Sequence, residues 1–146
     1  MRATFDSSAL AKRYLEESGS EVVQDLLLIT SELGLSVTCL PEIVSALNRC
    51  RRQGGLTLAD YRRIKGQLVA DVRDATVLNL TPSVIARAVV LLEEHELRAA
   101  DSLHVACAVE WRAALFVSAD RRQSAAAREA GLEVRYVGAP DPAVSA

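Results

Sequence analysis

Five short runs of β-forming residues punctuate this chain, and a stretch of helical length separates each from the next. The runs are Arg2–Phe5, Leu35–Thr38, Thr76–Leu80, Leu115–Ser118 and Glu133–Val137. Strands joined through helices need crossover connections, which leaves no place for hairpins and dictates a mainly parallel sheet with helices on both faces. The expectation is an α/β fold, a three-layer α/β/α sandwich around a central, mainly parallel sheet of four to five strands. One domain spans residues 1–137, and segment 138–146, with two prolines and nothing to bury, reads as a flexible tail.

The helices carry their own punctuation. Asp6-Ser7-Ser8 can cap a first helix that holds Ala9, Leu10, Arg13 and Tyr14. A second helix has Val22, Val23, Leu26, Leu27 and Ile29 on its inner face and is expected to run until Gly34 ends it. Pro41 suits the first turn of a third, which reaches Gln53 before Gly54-Gly55 breaks it. Thr57 followed by Asp60 resembles a capping box for a fourth. Thr81-Pro82 starts a fifth, whose buried face is expected to be Val84, Ile85, Ala88, Val89 and Leu92. Asp101 opens a helix of small and apolar residues, and Gly131 stops the last one, Arg121–Ala130.

Half the residues are apolar but aromatics are scarce, so the core must be mainly Leu, Val, Ile and Ala. The net charge of −2 argues against coating nucleic acid by bulk charge and leaves room for local basic patches. Three scattered cysteines, odd in number and without a C-x-x-C pair, read as buried thiols. No apolar run approaches the ~18 residues that span a bilayer, and no leader segment is read before the first strand, so a cytoplasmic protein without membrane association is expected.

The chemistry-bearing feature is the placement of four acids. Asp6 and Asp120 directly follow strands one and four, and Glu42 begins the helix after strand two. In a parallel sheet these positions share the rim beyond the carboxyl ends of the strands, where functional crevices form. Asp101 joins them if its helix lies over that rim. Acids at helix N-termini also serve as caps, so capping alone is one reading of each. The other is a shared site, in which four mutually repelling carboxylates call for a hard divalent cation and point to metal-dependent phosphoryl chemistry. Neither reading excludes the other.

Four segments in order carry a family resemblance. Phe5-Asp-Ser-Ser-Ala-Leu-Ala-Lys-Arg-Tyr14 resembles the opening of PIN-domain ribonucleases, particularly the VapC-like toxins of bacterial toxin–antitoxin pairs, with their D-x-S-A-L-x-K-x-Y. Leu40-Pro-Glu42-Ile-Val-Ser-Ala-Leu47 is similar to that family's helix with a single Glu. Leu97-Arg-Ala-Ala-Asp101-Ser-Leu-His-Val-Ala106 is similar to its L-R-A-x-D-A-L-H-x-A, with Ser102 in place of the commoner Ala. Phe116-Val-Ser118-Ala-Asp120-Arg-Arg122 is similar to its apolar strand, hydroxyl residue, spacer and Asp. The resemblance implies that Asp6, Glu42, Asp101 and Asp120 are the catalytic, metal-holding acids and that Ser8 and Ser118 orient them. It implies an endoribonuclease dependent on Mg²⁺ or Mn²⁺, hydrolysing RNA phosphodiesters in line and leaving a 5′ phosphate. The expected partners are a tRNA or ribosomal RNA substrate, a cognate antitoxin that blocks the groove, and a second copy in a homodimer. Exposed Leu and Val residues of helices 21–29 and 61–72 are candidate surfaces for these protein partners.

RNA must also be held. Lys12, Arg13, Arg49, Arg98, Arg121 and Arg122 are the candidate phosphate contacts, with Arg51 and Arg52 beside them, and such contacts set affinity without reading sequence. With few aromatics for base stacking, shape or loop context would choose the RNA. His104, flanked by Leu103 and Val105, reads as a packed, hydrogen-bonded core histidine. A phosphoacceptor switch is disfavoured, because Asn79 stands where strand three should deliver an Asp and no Lys follows Glu133. The stronger alternative is a PIN-fold module that binds RNA or an antitoxin without cutting.

Overall fold

The computed structural model describes residues 1–140. Five strands, β1 (Arg2–Phe5), β2 (Glu32–Ser36), β3 (Thr76–Leu78), β4 (Leu115–Ser118) and β5 (Val134–Tyr136), form one sheet in the order β3-β2-β1-β4-β5. Every pairing is parallel. The helices are α1 (Ser7–Leu10), extended by the 3₁₀ turn Ala11–Arg13, α2 (Ser20–Ile29), α3 (Cys39–Arg52), α4 (Leu58–Asp74), α5 (Pro82–Glu94), α6 (Ala99–Trp111) and α7 (Arg121–Glu129). The strand order reverses between β1 and β4, so the crevice expected of such a sheet opens where Asp6 and Asp120 leave it.

Two cores sandwich the sheet. On one face Ala3 and Phe5 of β1, Leu35 of β2 and Val117 of β4 pack with Leu10, Val23, Ile43, Leu47, Ile64 and Leu68 of α1 to α4. On the other, Leu78 and Phe116 meet Val84, Ala88, Leu91, Val105, Ala106 and Ala127 of α5 to α7. The alternation Leu115, Phe116, Val117 thus feeds opposite faces, as strand geometry requires, and β4 is buried throughout. The fourth helix has its capping box, Thr57 Oγ1 accepting from the Asp60 N–H at 3.0 Å while Asp60 accepts from the Thr57 N–H at 3.3 Å. Thr81 caps α5 with Pro82 in its first turn, as read from the sequence.

Three expectations need correction. Ile29, expected on the inner face of the second helix, is 62% exposed at that helix's last position. Gly34 does not end the second helix: α2 stops at Ile29, and Gly34 lies inside β2. Its use is close approach, because a Cβ there would sit 2.6 Å from Cζ3 of Trp111, whose indole lies against the strand. Arg2 also stacks on that indole, 4.5 Å from the ring centroid. The buried face of α5 is also turned from the expected one. Val84, Ala88 and Leu91 are buried, whereas Ile85, Val89 and Leu92 are 44%, 50% and 39% exposed. This helix is apolar on more than one side, so spacing alone could not say which side would meet the sheet.

Of the segment read as a tail, residues 141–146 lie outside the described residues. The Ala139 carbonyl accepts hydrogen bonds from Arg121 Nη2 at 2.6 Å and from Tyr136 OH at 2.8 Å. Among the described residues no helix is long and apolar enough to cross a membrane.

Candidate active site

The first acid is delivered by the sheet. β1 pairs with β4, its last residue opposite Val117, and the Asp6 N–H donates to the Val117 carbonyl at 3.0 Å. Asp6 is fully buried and caps α1, with Oδ1 accepting from the Ala9 N–H at 2.9 Å and from Ser8 Oγ at 2.7 Å. Its other oxygen accepts from Ser118 Oγ at 2.6 Å. Ser118 sits at the end of β4, and its Oγ also receives the Asp120 N–H at 2.9 Å. Ser8 Oγ, in turn, receives the Ala119 N–H at 3.0 Å. The two serines therefore bind the ends of β1 and β4 into one unit around Asp6.

Glu42 stands in the first turn of α3, following Pro41, and is half-buried. Its Oε1 meets His104 Nε2 at 2.6 Å and accepts from Ser7 Oγ at 3.1 Å. Asp101, in the first turn of α6, is 7% exposed. Its Oδ2 accepts from the Arg98 backbone N–H at 3.1 Å and from Arg98 Nε at 3.3 Å, and its Oδ1 accepts from Gln123 Nε2 at 3.0 Å. Asp120 caps α7, accepting the Gln123 N–H at 2.9 Å.

These bonds trace a ring around the rim. Ser118 lies between Asp6 and Asp120, and Gln123 lies between Asp120 and Asp101. His104, one turn beyond Asp101 on α6, leads to Glu42, and Ser7 leads from Glu42 back to the residue beside Asp6. Each acid is thus both a helix-start residue and a member of one rim cluster, so the two readings of the sequence meet in the same side chains.

Charge compensation is sparse. Burial pushes the Asp6 carboxyl above its ordinary value, and this outweighs the lowering effects of Ser118, the His104 charge, Ser8 and the Ala9 N–H. Burial also works against ionisation of Glu42, but there the hydrogen bond and charge of His104, aided by Thr38 and Ser7, win and hold its pKa below the usual value. The thiol of Cys39, at the start of α3, is pushed up to about 12, mainly by burial and further by nearby Asp6 and Glu42 against a lowering bond from Ser7.

The four acids at this rim offer hard oxygen donors, the ligand chemistry of Mg²⁺, Mn²⁺ or Ca²⁺. Among the described residues, no three Asp, Glu, His or Cys side chains converge into a ready metal cage. A cation there would keep part of its hydration shell, as Mg²⁺ does when few protein ligands reach it. A second observation agrees: Gln123 Oε1, buried beside Asp101, has no hydrogen-bond partner among the described residues.

The basic residues divide. Lys12 is buried, its Nζ held by the Ser18 carbonyl at 2.6 Å and by Glu17 at 3.3 Å. Arg13 is taken by Asp71 at 2.8 Å. Arg121 bonds the Ala139 carbonyl and lies 5.0 Å from the Tyr136 ring centroid. Arg49, Arg98 and Arg122 are exposed, Arg98 with its Nε near Asp101. Sequence reasoning missed Ser7 and Gln123 and gave His104 a hydrogen bond without naming its partner. Gln123 had a signal available, since Asp-x-x-Gln at 120–123 has the spacing of a capping box.

A protein-family model described as PIN domain matches residues 3–129. No curated protein matches the chain at a significant level. Among solved structures, the chain is similar to FitAcB of Neisseria gonorrhoeae (TM-score 0.66, 14% identity, covering 90% of this chain and 95% of that one). It is similar to a sarcin–ricin-loop-cleaving VapC toxin of Mycobacterium tuberculosis (0.64, 19%, 85% and 94%). It is also similar to DNA-bound VapBC of Salmonella typhimurium (0.67, 14%, 93% and 98%). At these identities the likeness is one of fold.

Proposed function

Because this chain belongs to the PIN-domain family, we propose that it is a divalent-metal-dependent endoribonuclease and the toxin of a toxin–antitoxin pair. The observation that supports this most is the ring of Asp6, Glu42, Asp101 and Asp120 at the sheet's switch point. In this reading the four acids hold Mg²⁺ or Mn²⁺. The ion, when bound, lowers the pKa of a water and neutralises charge on the scissile phosphate. The chain's own part is to hold the acids still: Ser8 and Ser118 fix both oxygens of Asp6, and His104 with Ser7 fixes Glu42. Pre-organisation of this kind lets the acids act without rearranging during the reaction.

Exposed Arg98 and Arg122, beside Asp101 and Asp120, are placed to meet phosphates of an incoming RNA, with Arg49 further along α3. Lys12 and Arg13 would first have to release Glu17 and Asp71. Ribosomal RNA is a proposed substrate class because a structural neighbour cleaves the sarcin–ricin loop; tRNA is the other. An antitoxin is the proposed inhibitor, as several neighbours are toxin–antitoxin complexes. A homodimer is also proposed, and the apolar flank of Ile85, Val89 and Leu92 offers it a surface. The domain is assigned to residues 1–137 and the remainder to a tail.

The test is cleavage of tRNA and ribosomal RNA by purified protein with Mg²⁺, Mn²⁺ or EDTA, alongside Asp6→Asn. Discrete cuts with 5′ phosphates, absent in EDTA and in the variant, are expected. A folded protein that binds Mn²⁺ and cuts neither RNA would favour the alternative, a non-cleaving RNA- or antitoxin-binding module.

A further inference from the structure

Gln123, like Ser118, joins two of the rim acids from a single residue. Its backbone N–H donates to Asp120 Oδ1 at 2.9 Å, and its side-chain Nε2 donates to Asp101 Oδ1 at 3.0 Å. A carboxylate accepts and does not donate, so the amide can face Asp101 only through its nitrogen. That choice fixes where Oε1 goes. Gln123 is 4% exposed, and Oε1 is left buried with no partner among the described residues. A buried carbonyl without a donor is destabilising, and native structures rarely keep one without a use. Of the side-chain atoms on the ring, it is the buried one left without a partner among the described residues. Oε1 is an acceptor still waiting for a hydrogen, and it lies on the same amide as the nitrogen that holds Asp101.

We infer that Gln123 is a positioning residue for the bound cation: its two N–H groups set the separation of Asp101 and Asp120, and its Oε1 accepts a hydrogen bond from a water of the ion's hydration shell. The inference rests on the metal-dependent reading above and deepens it. It is consistent with the acids forming no ready cage for a bare ion among the described residues, since a hydrated ion needs acceptors for its water hydrogens as well as ligands. It also gives Gln123 a role that packing alone would not, because an apolar side chain of the same length would fill the space without leaving an orphaned oxygen.

The experiment is Mn²⁺ titration of the purified full chain, followed by the spectroscopic signal of free Mn²⁺, for the unaltered protein, Gln123→Met and Gln123→Glu. Met keeps the length and the backbone bond to Asp120 but removes the amide. Glu keeps an acceptor in place of Oε1 and loses the donor to Asp101. Melting temperatures are taken in EDTA. The expected result is Mn²⁺ affinity lower by about 10- to 100-fold in Gln123→Met, the usual effect of an outer-sphere change. Its metal-free melting temperature stays near that of the unaltered protein. RNA cleavage by Gln123→Met is then recovered by raising Mn²⁺, whereas a purely structural defect would not respond to the ion. Gln123→Glu should bind Mn²⁺ more tightly than Gln123→Met, because it retains the acceptor. If the unaltered protein and Gln123→Met bind Mn²⁺ equally, the inference is overturned while the nuclease reading stands. If the unaltered protein binds no Mn²⁺, both fall together.

Discussion

One half-buried carboxylate and a cluster of four lie at opposite ends of the sheet, and they are treated differently. At the end where the strands begin, Asp71 of α4 is met by Arg13 Nε at 2.8 Å and by Tyr14 OH at 2.6 Å. The cluster borders a groove of about 340 Å³ that Leu27, Leu28, Gln24 and Thr30 also line. One acid there has one guanidinium and one phenol, and the charge is closed. At the other end, four acids share serine hydroxyls, backbone N–H groups, an amide, one histidine and the exposed Arg98. A carboxylate that serves the fold is given a cation by the fold. Carboxylates left with mostly neutral donors are held in place for a cation that comes from outside.

The strongest way to break this comparison is to remove one rim charge. Asp6→Asn keeps an oxygen to accept the Ala9 N–H, so the cap survives. Cleavage should nevertheless fall by more than about 100-fold, beyond what an outer-sphere change usually does. Stability in EDTA should move the other way and rise by about 1 kcal/mol, as is common when a functional site is relieved of its strain. The sign follows from linkage. The folded-state pKa of Asp6 is raised, so the stability it lends is full below the unfolded value and is lost as pH rises through the folded value. Glu42 is lowered, so its contribution is present above its unfolded value and is lost as pH falls through the folded one. Melting curves against pH in EDTA should therefore show a loss of stability as pH rises above the ordinary carboxylate value in the unaltered protein and not in Asp6→Asn. Mg²⁺ should restore stability to the former alone. Equal melting temperatures with and without Mg²⁺ would count against a cation at the rim.

At the other end the expectation is reversed. Asp71→Ala leaves a guanidinium and a half-buried phenol without their acceptor and should destabilise by roughly 1–3 kcal/mol. Cleavage per folded molecule should be unchanged. A large activity loss without unfolding would place the Arg13 cluster in the active machinery and erase the distinction between the two ends.

A smaller and sharper probe uses the thiols. Cys39 stands among the rim acids with its pKa pushed up to about 12, and Cys107 is also raised by burial. Cys50, at the far end of α3, is only half-buried. Alkylation of the native protein at pH 8 should label Cys50 first, with Cys39 and Cys107 reacting only on unfolding. Early labelling of Cys39 would show that the rim is wetter than its burial implies.

Much of this was legible in the chain, for identifiable reasons. Alternating strand and helix signals lead to a parallel sheet because no other connection fits, and five parallel strands are what the structure has. Positions directly after a strand, such as Asp6 and Asp120, are placed by topology alone, so their meeting at one rim could be anticipated. The errors fall where packing decides. Gly34 looked like a helix stop because a glycine's usual signal is local, whereas its reason is the Trp111 ring from a helix 77 residues later. The apolar surplus on α5 gave no local cue to which side would be covered, and Ile85, Val89 and Leu92 were misassigned to the buried face. Ser7, His104 and Gln123 act through bonds to acids on other segments, which no spacing rule reveals.

The gentlest test concerns Arg122, which is exposed two residues beyond Asp120 and makes no ion pair among the described residues. If the rim acids are reserved for a cation, the phosphates of a bound RNA must find their positive partners just outside the ring. Arg122→Gln should then weaken binding to a non-cleavable RNA only a few-fold. It should also reduce the slope of log K against log salt by about 0.7 for a single-stranded site. The loss should be the same for unrelated RNA sequences, because a phosphate contact carries no base information. Mn²⁺ affinity in the absence of RNA should not change. A sequence-dependent loss would mean that Arg122 reads a base, and an altered Mn²⁺ affinity would draw it into the ring, so the boundary between ion-holding and RNA-holding residues would have to move outward.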